Sequence, residues 1–147
     1  MKVLYFHSRD LRVGTSLKTT KKLRARLGSL LEEPSISNRL IRSSNCLLTL
    51  VCVEMTDEKL DLVPVKDDVI RAKALLGVSD IIISAFAHLS AEVASPALAR
   101  DILQKLFLLV ESVNPSTHLV PFGWDKSLEI HVPVHHFNAA FRSFRND

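Results

Sequence analysis

Two segments of the chain place a titratable side chain where a cleft could use it. The first is FAHLS, residues 86–90, where His88 follows an apolar run. An imidazole there can take or give a proton near neutral pH, or orient a water molecule. Its ring can equally bond a backbone carbonyl and do no chemistry. The second is PFGWDK, residues 121–126, which ends in Lys126 after a glycine, a tryptophan and an aspartate. An ammonium in that setting can stabilise negative charge developing on a carbonyl oxygen during acyl transfer, although most single lysines are surface residues. Trp124 can stack on a base or a sugar, or cap the edge of a core.

Other chemistries are poorly served. His131, His135 and His136 lie close in sequence but match neither H-E-x-x-H nor a cysteine-histidine zinc pattern, so no metal site is expected. G-x-S-x-G is absent, and four scattered glycines make no phosphate-binding loop. Cys46 and Cys52 share the apolar run CLLTLVC. A strand holds them too far apart to bridge, and no nearby cation activates either sulfur. They read as buried thiols in a reducing compartment.

Regular elements must hold the two segments in place. Residues 2–7 read as a strand, central in a sheet, and residues 46–54 as the strongest strand of all. Leu23, Leu27, Leu30 and Leu31 give part of residues 16–33 a helical stripe, broken at Pro34. A helix over residues 66–76 ends at Gly77, a residue suited to a left-handed cap. Residues 80–86 form a buried strand leading into the His88 loop. Ser95-Pro96 then caps a helix whose stripe runs from Leu98 to Val110. Residues 119–122 and the alternating 127–132 resemble a hairpin turning near residues 123–126. Phe137, Ala140, Phe141 and Phe144 have the spacing of a C-terminal helix. Alternating strands and helices predict an α/β domain, a mixed β-sheet covered by helices.

Composition bounds the rest. The chain of 147 residues, 47% hydrophobic, suits one domain spanning residues 1–147 that needs no disulfide or metal to fold. No run approaches the length of a membrane span, and the N-terminus turns polar at His7. A soluble, cytoplasmic protein with no membrane partner is expected. The net charge of +3 conceals an asymmetry. Residues 1–45 hold ten bases and three acids, and the remainder nine bases and thirteen acids. The densest stretch, residues 18–26, can meet a nucleic-acid backbone or simply form a solvated helix face.

The run FAHLSAEVASPALARDIL (residues 86–103), followed by PFGWDK (121–126), resembles the N-terminal editing domain of archaeal-type threonyl-tRNA synthetases. MKVLYFHS at residues 1–8 and VCVE at 51–54 carry the likeness along the chain. The resemblance implies a fold shared with the D-aminoacyl-tRNA deacylases, a homodimer, and no cofactor or metal. It implies hydrolysis of L-serine wrongly esterified to tRNA(Thr), whose 3′ end enters a cleft, in a synthetase or a freestanding editing protein. By position, Lys126 and His88 match the residues beside the scissile ester. Val53, Phe86 and Ala87 match positions that shape the pocket, and Trp124 and Asp125 fall among its substrate-binding neighbours. The chain departs from the family at Asp125, where tyrosine is frequent, at Ala139, where a glutamate stands in the family's final helix, and at Ala85, where a proline is usual. A D-aminoacyl-tRNA deacylase and a non-catalytic tRNA-binding or dimerisation module are the alternatives.

Overall fold

The computed structural model describes residues 1–16, 21–31 and 34–146. Strands β1 (Lys2–Thr15) and β2 (Leu40–Cys52) form a long antiparallel pair, with Lys2 opposite Cys52 and Gly14 opposite Leu40. β1 runs eight residues past the apolar segment that predicts it. Its polar half, from Arg9 to Thr15, still forms a ladder with neighbours on both sides, which satisfies backbone groups whatever the side chains are. Helix α1 (Lys21–Leu27) lies between these strands in sequence and is followed by a 3₁₀ turn, Gly28–Leu30. Residues 17–20 and 32–33, including Lys18 of the basic stretch, lie outside the described residues.

After β2 come α2 (Val63–Leu76), β3 (Asp80–Ala85), α3 (Pro96–Glu111) and β4 (Thr117–Leu119). β3 pairs parallel to β2, and β4 parallel to β3, so α2 and α3 are the crossovers that parallel neighbours require. Gly77 caps α2 at φ 64°, and the Ser95 hydroxyl accepts the Leu98 N–H at 3.3 Å to cap α3, as the residue types predict. Two final strands, β5 (Lys126–His131) and β6 (Ala139–Ser143), lie end to end along the outer edge of β1. The order is β4-β3-β2-β1-β5, with β6 also beside β1, in a mixed sheet.

Two expectations fail here. Residues 119–122 and 127–132 are no hairpin, because β4 joins one edge of the sheet and β5 the other. Phe122 and Trp124, between them, are buried side chains and not an exposed turn. The C-terminal helix is strand β6. Its helical spacing is overridden by the free edge of β1 at residues 2–6, where in extended form Ala140 and Phe144 reach the core and the Arg142 guanidinium comes within 3.5 Å of Asp68.

The helices cover one face of the sheet. Val3, Tyr5, Leu47, Val51, Ile81 and Ile83 pack there against Val65 and Val69 of α2 and Ile102, Leu103 and Leu106 of α3. The second face is covered by the sheet itself. At Asp10 the backbone adopts φ 55°, and the β1–β5 register shifts between Arg9 and Arg12. A bulge bends a strand and reverses which side chains face which way. Odd-numbered Val3 and Tyr5 face the helices, whereas Leu11 and Val13 join Leu48, Leu50 and Ile82 on the opposite side. The bent half brings Val13 and Leu128 to a small hollow shared with Leu48, Leu50, Phe86 and Lys126. The start of β5 is thereby carried back to the end of β3.

A buried polar cluster ties the first residue to the sheet. The Met1 amino group donates to Asp57 at 2.6 Å, to Glu54 at 3.2 Å and to the Phe144 carbonyl at 2.8 Å. Burial alone would raise the Glu54 pKa. The Ser90 hydroxyl, Lys2 and the Met1 ammonium outweigh it and hold the carboxyl near 2. A native pKa below the unfolded value contributes stability above the unfolded pKa, near 4.5, that is lost as pH falls toward 2. Denaturant titration should therefore show Glu54→Gln less stable than the parent at pH 6, with the difference closing by about pH 2. A gap that persists unchanged at low pH would contradict this. On the helix face, the Thr49 hydroxyl is fully buried and has no hydrogen-bond partner among the described residues. Thr49→Val should raise stability by about 1 kcal/mol, read from the same titrations, because it removes an unsatisfied polar group at nearly constant volume. Destabilisation would show that the hydroxyl is satisfied.

Candidate functional site

A cavity of about 240 Å³ opens at the carboxyl ends of the parallel strands β2 and β3, the usual position for a site in such sheets. Each wall has a local cause. Val51, Cys52 and Val53 end β2, and Ala85, Phe86 and Ala87 lead out of β3. The Phe86 N–H donates to Val51 O at 2.8 Å and the Ala94 N–H to Val53 O at 3.0 Å, which fixes these walls by backbone bonds. Pro96, Ala99 and Leu103 present the N-terminal half of α3. That helix end adds a favourable field for negative charge. Phe122, Gly123 and Trp124 close the side between β4 and β5, and Arg26 and Leu27 of α1 complete the rim. Gly123 is required there. Its φ is 87°, and a Cβ would stand 3.0 Å from methyl carbons of both Leu27 and Leu31.

The structure brings Val53, Phe86, Ala87, Trp124 and Lys126 together in this cavity. Trp124 is only 5% exposed, so it is a wall and not a free stacking platform. Lys126 is half-buried at the first position of β5, opposite Thr15. Burial pushes its ammonium below the ordinary lysine range, and the negative charge of Asp125 partly restores it. Asp125 itself is exposed and outside the cavity lining, while its carbonyl accepts the Ser16 N–H at 2.8 Å. His88 lies in the 3₁₀ turn Ala87–Leu89, is exposed and does not line the cavity. Its ring packs edge-on against Phe86, with centroids 5.2 Å apart, which sets it against a residue of the cavity wall.

Sequence reasoning does not place Cys52 or Arg26 in the site. The Cys52 thiol points to the Ala87 carbonyl at 3.8 Å, and burial pushes its pKa up, so it is a protonated wall group and not a nucleophile. Arg26 belongs to the basic stretch, whose charge is visible in the sequence but whose position is not.

Of the three clustered histidines, His135 has a structural role. The Phe137 N–H donates to His135 Nδ1 at 3.2 Å, so His135 Nε2 is the donor to His7 Nδ1 at 2.7 Å, and His7 Nε2 to Asn45 Oδ1 at 2.6 Å. This chain of bonds pins the β5–β6 connection to the central strands. Among the described residues no three His, Cys, Asp or Glu side chains are placed to hold a metal ion. Ala139 opens β6 opposite Phe6 and is not among the described residues lining the cavity. Ala85 lines the cavity directly.

Comparison with known proteins agrees with this architecture. A solved structure described as the c-Myc DNA unwinding element binding protein superposes with a TM-score of 0.72 over 99% of this chain and 100% of its own, at 9% identity, which speaks to the fold alone. Threonine–tRNA ligase of Methanococcus aeolicus is 30% identical over 92% of the chain, and that of Pyrobaculum islandicum is 30% identical over 99%. The chain spans about a fifth of the length of these relatives, 20% and 22%. The model of the archaea-specific editing domain of threonyl-tRNA synthetase matches residues 1–144. A cavity at the carboxyl ends of the parallel strands, walled by the FAHL and PFGWDK segments, thus sits in a chain that belongs to the family of archaeal threonyl-tRNA synthetase editing domains.

Proposed function

We propose that this cavity hydrolyses L-serine mischarged on tRNA(Thr), releasing serine and intact tRNA. The observation that carries the reading is the half-buried Lys126 ammonium in a largely apolar cavity, with His88 packed against its Phe86 wall. Such a hydrolysis is needed because serine and threonine differ by one methyl, which yields only about 10–200-fold discrimination in a single binding step. A second sieve must admit the smaller side chain and exclude the larger.

The chemistry is ester hydrolysis. Water adds to the ester carbonyl, the tetrahedral intermediate collapses, the bond to the ribose oxygen breaks, and that oxygen takes up a proton. Lys126 holds the developing oxyanion in a setting where a partly desolvated charge acts more strongly than in water. His88, packed against Phe86, places the attacking water with the neighbouring ribose hydroxyl. Val53, Phe86 and Ala87 bound the side-chain space, and Trp124 and Asp125 hold the strand start that presents Lys126. No cofactor enters this reaction. The reading extends to tRNA(Thr) as partner, to the cytoplasm, and to action within a synthetase or in trans. It extends also to a homodimer, since Leu128 and Ile130 on β5 are 42% and 37% exposed and offer an apolar surface to a second copy. No helix among the described residues is long and apolar enough to cross a membrane.

Deacylation of Ser-tRNA(Thr), Thr-tRNA(Thr) and a D-aminoacyl-tRNA, followed side by side, should show loss of the ester only in the first. Preference for the D-ester would reassign the substrate, and tRNA binding without hydrolysis would make the domain a binding module. Lys126→Met should lower the rate by about 100-fold or more with an unchanged thermal melt, and parental turnover would reject its role. His88→Ala should lower it by about tenfold; an unaltered rate would mean that other groups position the water.

A further inference from the structure

We infer that Arg26 binds the phosphodiester joining the last two nucleotides of the substrate RNA, and so draws the 3′ end into the cavity. The inference rests on the deacylase reading and adds a residue to it. Among the described residues lining the cavity, the charged side chains are Lys126 and Arg26, both cations, with no carboxylate among them. Arg26 makes no ion pair or hydrogen bond with another described residue. Two cations around one cavity, with no carboxylate among the described lining residues, call for an anion on the ligand.

The reacting group cannot supply it twice. An aminoacyl ester has no carboxylate, and its amine is itself cationic, so only the oxyanion that forms transiently during hydrolysis requires a positive charge. Lys126, half-buried, is placed for that. Arg26 is exposed at the rim. The permanent negative charge nearest the ester on a 3′-terminal nucleoside is the phosphodiester on the 5′ side of its ribose. A planar guanidinium matches phosphate geometry with paired hydrogen bonds.

The fold also holds Arg26 in place. Leu27, the next residue, is 7% exposed, and the methyl groups of Leu27 and Leu31 lie against the face of Gly123 where any side chain would collide. The last turn of α1 is therefore seated on the loop that leads to Lys126. Lys21 and Lys22, exposed on the same helix, add further positive charge to α1.

The test compares the parent protein with Arg26→Gln on two substrates under single-turnover conditions. One is a seryl minihelix ending in CCA, and the other is 3′-O-seryl adenosine, which lacks the phosphodiester. The expected result is a half-saturating concentration about tenfold higher on the minihelix, with an unchanged maximal rate and no change on seryl adenosine. The slope of log affinity against log salt should fall by about one, and Arg26→Lys should restore that slope. Equal losses on both substrates would place Arg26 at the ester or in the fold, and no loss on either would remove it from the site. Binding of the uncharged minihelix is measured with the same proteins. If the parent binds RNA but cleaves no seryl ester, the deacylase reading fails, while an Arg26→Gln binding defect with the smaller salt slope still upholds the phosphate contact and its absence overturns it.

Discussion

The bend of β1 at Asp10 is the constraint on which the site depends. In a flat sheet, Lys126, opposite Thr15, would stand at the far end of β1, beside the start of β2 and remote from the ends of β2 and β3. The left-handed residue and the register shift beside it turn that half of β1 over the second face, so the start of β5 meets Phe86. Burial of Leu11 and Val13 stabilises the turn, each contributing on the order of 1.5–3 kcal/mol relative to exposure. One local backbone irregularity thus joins the cation from one edge of the sheet to the cavity at the other.

Electrostatics then follows from the walls. Valine, alanine and leucine side chains line the cavity that holds Lys126, whose burial removes water from it, and the acid next to it in sequence, Asp125, is exposed. Unit charges about 4 Å apart interact by about 1 kcal/mol in bulk water and about 4 kcal/mol at an effective dielectric of 20. The same desolvation that lowers the lysine pKa strengthens the interaction of this cation with any negative charge brought beside it. Asp125 moderates the first effect without filling the cavity. Ala139, where the chain also departs from the family, pairs with Phe6 on β1 and is not among the described residues that line the cavity.

Several elements were readable because their causes are local. The Ser95-Pro96 start of α3, the Gly77 cap of α2 and the apolar run of β3 depend on residues within a turn or two of one another. The FAHL and PFGWDK segments were likewise legible as loops at the ends of apolar runs, and the structure puts Phe86, Ala87, Trp124 and Lys126 on the cavity wall. The C-terminal strand was not. Phe137, Ala140, Phe141 and Phe144 fit a helix by spacing, and only the unpaired edge of β1 makes an extended form preferable. The hairpin failed for the same reason, since an edge strand chooses its partner by which ladder is open.

Residue order alone therefore determined that the chain has an apolar α/β core, that its first third is basic, and that His88 and Lys126 stand beside aromatic residues at the ends of apolar runs. These are properties of neighbours in the chain. Tertiary structure decided that Lys126 shares a cavity with Val53 and Phe86, that Arg26 completes its rim, and that Asp125 and Ala139 lie outside its lining. The physical reason is that such proximities are set by strand pairing and by a bulge. Backbone hydrogen bonding is nearly indifferent to side-chain identity, so the pattern of residues carries little record of it.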